Sequence, residues 1–224
     1  MSTYCIIWTF SFLFPIEEVK TPEDYKAEVI YVMDSSSLVG QVNYRNQKDF
    51  IKGLARALNH SPNYTQSAVI IYDTFPEFAI RMGAYPKIGP FSHAVDKLRY
   101  LGGLSGGLDW ALKFAPRGFS QDEPDVPKII VLIAKTDLQN PANIDSLSAA
   151  LRKQDINITV VGIGSESNFP NIRRLVARPE DFLTPRASDY LPSYVPTVVS
   201  AILSGECDKK CVHSFYPPKG RKDW

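Results

Sequence analysis

Asp34, Ser35, Ser36 and Ser37 stand together directly after an unbroken apolar run, Val29 to Met33. One carboxylate followed by three hydroxyls is an oxygen-rich set, the donor type that hard cations such as Mg2+ and Mn2+ require. A second candidate is Ser105, in the glycine-rich stretch Leu101-Gly102-Gly103-Leu104-Ser105-Gly106-Gly107. A third group follows another apolar run, Ile129 to Ile133, and reads Ala134-Lys135-Thr136-Asp137. Ser105 carries a competing reading, because Gly103 to Gly107 matches Gly-x-Ser-x-Gly, the turn that presents a hydrolase nucleophile between a strand and a helix. What precedes Ser105 reads as helical, and of His60, His93 and His213 only the last follows it in the order hydrolases use. A tight turn at a helix start explains the glycines better. A serine hydrolase acting through Ser105 is kept as the alternative.

The elements that would position these groups alternate along the chain. Val29 to Met33, Ser67 to Tyr72, Ile129 to Ile133 and Ile156 to Ile163 are near-continuous apolar runs, as expected of strands covered on both faces. Phe78 to Met82 reads as an antiparallel partner of the second strand, after a turn at Asp73 to Pro76, and Phe182 to Thr184 as a short last strand. Between them, helices are predicted over 44–58, 91–98, 108–114 and 194–203, with a helix capped by Asn143 carrying Ile144, Leu147 and Leu151 on one face, and a short helix around 170–176. The pattern predicts a doubly wound α/β fold: a mostly parallel six-stranded sheet with one antiparallel edge strand and helices on both faces. In such sheets ligands bind at the carboxyl ends of the strands, where the winding reverses. Asp34, Ser105 and Lys135 would all lie there.

Length and composition narrow the options. The 224 residues suit one sizeable domain, and 25 Lys plus Arg against 24 Asp plus Glu gives a net charge of +1. No global field would draw the chain to nucleic acid or an acidic membrane. Residues 1–25 read as a leader and linker, and the apolar run from Tyr4 to Phe14 has the length of a signal-peptide core, although no Lys or Arg precedes it. It is too short to span a bilayer. The domain proper is placed at 26–204 and a Cys-containing tail at 205–224. Cys207 and Cys211 are available to pair with each other or with a neighbour, and their spacing alone is weak for zinc. Sequons begin at Asn59, Asn63 and Asn157; the first two fall in an expected loop and are read as glycan acceptors if the chain is secreted, while Asn157 lies at a strand edge. Arg173, Arg174, Arg178 and Arg186 form a modest basic cluster, by default a solvated face.

The segment Asp34-Ser35-Ser36-Ser37-Leu38-Val39-Gly40 resembles the Asp-x-Ser-x-Ser-x-Gly start of the metal-ion-dependent adhesion site in von Willebrand factor type A domains, with Leu38 at the second serine. The resemblance runs from about Glu28 to Ser204. Gly103 to Leu112 is similar to that family's second metal loop, one residue longer and with Ser105 at its threonine; Ala134-Lys135-Thr136 takes the place of Thr-Asp-Gly, with Asp137 two residues late; and Asn157 to Gly164 matches its fifth strand. The texture is most like the collagen-VI-type and matrilin-type matrix modules. The resemblance implies a non-enzymatic, secreted adhesion or scaffold module that binds matrix or cell-surface proteins, collagen-like ones included, through its loop rim. It implies a degenerate metal site at Asp34, Ser36, Ser105 and Asp137 for Mg2+ or Mn2+, and ligand contacts at Asp34, Ser35, Ser37 and Lys135. Lys135 beside Asp34 would neutralise it by a salt bridge and repel a cation.

Overall fold

The computed structural model of the protein describes residues 25–138, 142 and 144–214, with side chains to Gly205. Expectations placed on Tyr4 to Phe14, Asn143, Cys207 and Cys211 lie outside these side chains. The strands are β1 (Glu28–Asp34), β2 (Gln66–Tyr72), β3 (Pro76–Ile80), β4 (Lys128–Ala134), β5 (Ile156–Gly162) and β6 (Phe182–Leu183). Among the described residues they form one sheet in the order β3-β2-β1-β4-β5-β6. Every neighbouring pair is parallel except β2 with β3. Pro76 opens β3 at the sheet edge, where its missing N–H breaks no ladder.

The helices are α1 (Gln41–Ala57), α2 (Ile88–Asp96), α3 (Leu108–Phe114), α4 (Ile144–Lys153) and α5 (Leu191–Ser214). Because side chains alternate across a strand, the central strands feed two separate cores. Tyr31, Met33, Val69, Ile71, Val131 and Ile133 meet Phe50, Leu54, Phe91 and Val198 of α1, α2 and α5 on one face. Ile30, Val32, Ile70, Tyr72 and Leu132 meet Leu108, Leu112, Ile144 and Leu151 of α3 and α4 on the other. Fully burying one Leu, Ile or Phe is worth roughly 1.5–3 kcal/mol, so covering both faces is what makes long apolar strands stable here.

The basic pattern read from the sequence is present, with shifted boundaries. α1 begins at Gln41, earlier than its apolar stripe, and the short helix expected around 170–176 is a single 3-10 turn, Ile172–Leu175. α5 runs from Leu191 through Ser214, so helical backbone continues into the stretch read as tail. No helix among the described residues is long and apolar enough to cross a membrane. The chain leaves β1 toward β2 on one side and returns to β4 on the other, so the ends of β1 and β4 form the switch point of the sheet.

Candidate functional site

β1 delivers Asp34 to that switch point with no exposed surface. Its Oδ1 accepts the Ser36 N–H at 2.9 Å, fixing the turn out of the strand, while its Oδ2 has no hydrogen-bond partner. The Ser36 hydroxyl and the Tyr72 hydroxyl are likewise buried without one. Burial pushes the Asp34 carboxyl above its ordinary range; the Ser36 N–H, the adjacent Ser36 hydroxyl and the Lys135 N–H pull only partly the other way, and the Asp73 carboxylate adds a smaller upward push. The Tyr72 phenol is raised too, by burial first and by Asp34 second. A buried carboxylate with an unsatisfied oxygen is costly unless something pairs with it.

Two loops close around this position, held by main-chain bonds. Ser35 N–H donates to Tyr72 O at 2.7 Å, and Ser37 N–H donates to Gly103 O at 2.8 Å. Gly102 N–H donates to Ser35 O at 2.9 Å, and Leu101 N–H to the Ser35 hydroxyl at 2.8 Å. Gly107 N–H reaches Asp73 O at 2.8 Å, and the Thr74 hydroxyl reaches Leu104 O at 3.3 Å. A Cβ on Gly107 would sit 2.6 Å from Asp73 O, so only glycine lets the loop close on the end of β2. The Asp73 carboxylate lies against Gly103 in the same way.

The expected residues therefore meet different fates. Asp34, Ser36 and the loop that carries the half-buried Ser105 are brought together. Ser35, expected to touch ligand, is fully buried and spends its hydroxyl and carbonyl on the glycine-rich loop and its N–H on Tyr72 O, so its part is structural. Ser37 is exposed at the rim. Lys135 turns its ammonium to Ile163 O at 3.2 Å, and the expected salt bridge to Asp34 is not among the ion pairs of the described residues. Only its N–H faces Asp34. Asp137, expected to replace a missing metal ligand, accepts the N–H groups of Ile172 at 2.8 Å and Asn171 at 3.1 Å, which makes it the cap of the 3-10 turn. Asp73 is the group that sequence reasoning missed; its only signal was a carboxylate one residue past the second apolar run.

A hard divalent cation wants six or more oxygens, several of them charged. Here the Asp34 and Ser36 oxygens are open, but Leu38 supplies none, Lys135 stands where a carboxylate would, and Asp137 is occupied. Among the described residues no cluster of three or more acidic, His or Cys side chains could hold a metal. Of the expected ligands, Asp34 and Ser36 stand here, with Ser105 on the adjoining loop. The nucleophile elbow fares no better, because an irregular loop rather than a strand precedes Ser105, and α3 begins only at Leu108. His60 lies at the other edge of the sheet, its ring nitrogens engaged with the Ser67 hydroxyl and Tyr85 O. The basic cluster is largely neutralised, with Arg173 on Glu166, Arg174 on Asp145 and Arg178 on Asp181.

The same loops and the start of α3 also carry exposed apolar side chains. Leu38 is 57% exposed, Phe75 68%, Leu104 76% and Trp110 63%, on segments tied to one another by the bonds above.

Residues 28–193 match the family model described as the von Willebrand factor type A domain. Collagen alpha-1(XXI) of Xenopus laevis is 24% identical over 193 residues, which is 86% of this chain and 19% of that protein. Human matrilin-1 is 25% identical over 175 residues, covering 75% of this chain and 34% of matrilin-1. The chain thus spans about a fifth to a third of the length of these relatives. Among solved structures, proximal thread matrix protein 1 from the mussel byssus superposes with a TM-score of 0.71 at 20% identity, over 79% of this chain and 48% of that one. A second structure of that protein is described with a zinc-occupied metal-ion-dependent adhesion motif, at a TM-score of 0.70.

Proposed function

The chain belongs to the von Willebrand factor type A domain family, and from that premise we propose that it is a non-enzymatic adhesion or scaffold module of the extracellular matrix. It docks matrix proteins, collagen-like ones included, through the loops at the carboxyl edge of its sheet. Its collagen and matrilin relatives support the setting. The observation that carries the mode of docking is the exchange at one position: where a hydroxyl would complete a cation's ligands, Leu38 is exposed, on a loop bonded to the one that bears exposed Leu104, which Thr74 ties in turn to the loop of exposed Phe75. Contact is then apolar and independent of cation, with the buried Asp34 as the polar group at the centre of the rim.

A cation-bridged version of the same docking rests on the open Asp34 and Ser36 oxygens. The two separate in one binding assay on immobilised fibrillar collagen, with EDTA or Mn2+ present and with a Phe75→Asp, Leu104→Asp double variant. Equal binding in EDTA and Mn2+, lost in the double variant at unchanged thermal stability, is the expected result. Retained binding by a folded double variant would remove the rim from consideration. Binding that needs Mn2+ and vanishes in Asp34→Ala would favour the bridge.

A further inference from the structure

The structure separates the two neighbouring sequons that the sequence left equivalent. Both fall in the connection from α1 to β2. That connection lies at the amino edge of the sheet, because α1 starts beside the carboxyl end of β1 and returns to the start of β2. Asn59 is built into the helix stop. It adopts φ 52, donates its N–H to Arg56 O at 3.1 Å, and is half-buried. His60, the middle residue of its sequon, is 4% exposed and stacked on Phe91 at 4.5 Å between centroids. Asn63 is the opposite case. It stands exposed in a turn beside the equally exposed Pro62. Its side chain faces solvent, whereas Thr65, the third residue of its sequon, is fully buried and donates its hydroxyl to Tyr25 O at 3.2 Å. Asn157 is half-buried within β5.

We infer that Asn63 is the N-glycosylation site of this protein, a reading that rests on its passage through the secretory route. The Asn63 amide nitrogen displaces the diphosphate of a lipid-linked oligosaccharide. A bond forms from Nδ2 to the sugar's C1, the C1–O bond to the diphosphate breaks, and the lipid diphosphate leaves while the amide proton goes to a base of the transferase. Transfer happens before Thr65 is buried, since the transferase must hold that hydroxyl. In the folded domain Asn63 stands exposed to carry the glycan, whereas Asn59 is half-buried in the helix stop. The position also matters for docking. β1 spans seven residues at about 3.3 Å each, so roughly 20 Å of sheet separates the glycan from the Asp34 rim. The sugar shields the amino edge and leaves the carboxyl edge open.

The test secretes the full chain from cultured animal cells behind an added cleavable leader and digests it with peptide-N-glycosidase in heavy-oxygen water. The expected result is one mobility shift, with the isotopic Asn-to-Asp mass change at residue 63, abolished by Asn63→Gln and kept in Asn59→Gln and Asn157→Gln. A secreted chain with no glycan overturns the inference, as does a shift that survives Asn63→Gln. The wild-type peptide map gives the answer even if a variant is not secreted. Because the added leader supplies entry to the lumen, a missing glycan bears on Asn63 alone. Secretion of the chain without that leader, measured alongside, bears on the extracellular reading.

Discussion

The tips of β1 and β4 lie side by side at the switch point, and each carries a carboxylate that sequence pattern marks for the same task. They end in opposite states. Asp137, beyond β4, has both oxygens filled by the backbone N–H groups of Asn171 and Ile172. Asp34, at the end of β1, is fully buried with one oxygen filled and one open. A carboxylate whose oxygens are all spoken for holds the fold together. One kept out of water with an oxygen unspent weakens the fold. The contrast separates two acids that spacing alone makes equivalent.

Breaking the frame around both tips should have the largest effect. Gly107→Ala forces a methyl against the β2-end carbonyls of Asp73 and Thr74, and should cost about 1–3 kcal/mol in urea unfolding together with rim binding. Asp137→Ala strips the 3-10 turn of its cap. The two N–H groups it leaves unmatched should cost about 2 kcal/mol by the same measurement, with rim binding preserved.

Asp34→Asn should go the other way. The folded-state pKa of Asp34 is raised, so its favourable share of stability is complete only below the unfolded value and is lost as pH rises through the folded one. The variant has no charge to bury. Its melting temperature should therefore exceed the wild type's at pH 7, with the gap closing toward pH 4; every tenfold difference in proton affinity between the two states corresponds to about 1.4 kcal/mol. A wild type that outlasts the variant at every pH would mean that Asp34 is structural like Asp137. Smallest in stability is Leu38→Ser; paired with Lys135→Asp it restores the family's oxygens. Leu38 is exposed, so its replacement should stay within about 0.5 kcal/mol. Calorimetric heat with Mn2+ should appear only in this pair, and heat of equal size from the wild type would contradict the apolar rim.

Much of this was written along the chain. Apolar runs announced β1, β2, β4 and β5 because strands covered on both faces have no polar side to show, and α3 falls on the predicted 108–114. Helix ends were harder. Gln41 to Asn43 carry no apolar stripe, and the far part of α5 loses its periodicity after Leu203. At the site, the Asp34 motif and the glycine-rich loop were legible as local patterns. The Lys135 side chain's turn to Ile163, the capping role of Asp137 and the approach of Asp73 to Gly103 were not. Each depends on a partner that is remote in sequence, and no local spacing encodes it.

The loops at the carboxyl edge are joined chiefly through peptide groups: Ser37 to Gly103, Gly102 to Ser35, Gly107 to Asp73. Side chains at positions 38, 75 and 104 take no part in that lacing. They can be exchanged without slackening it, so the surface of these loops can change one residue at a time while the frame stays as it is.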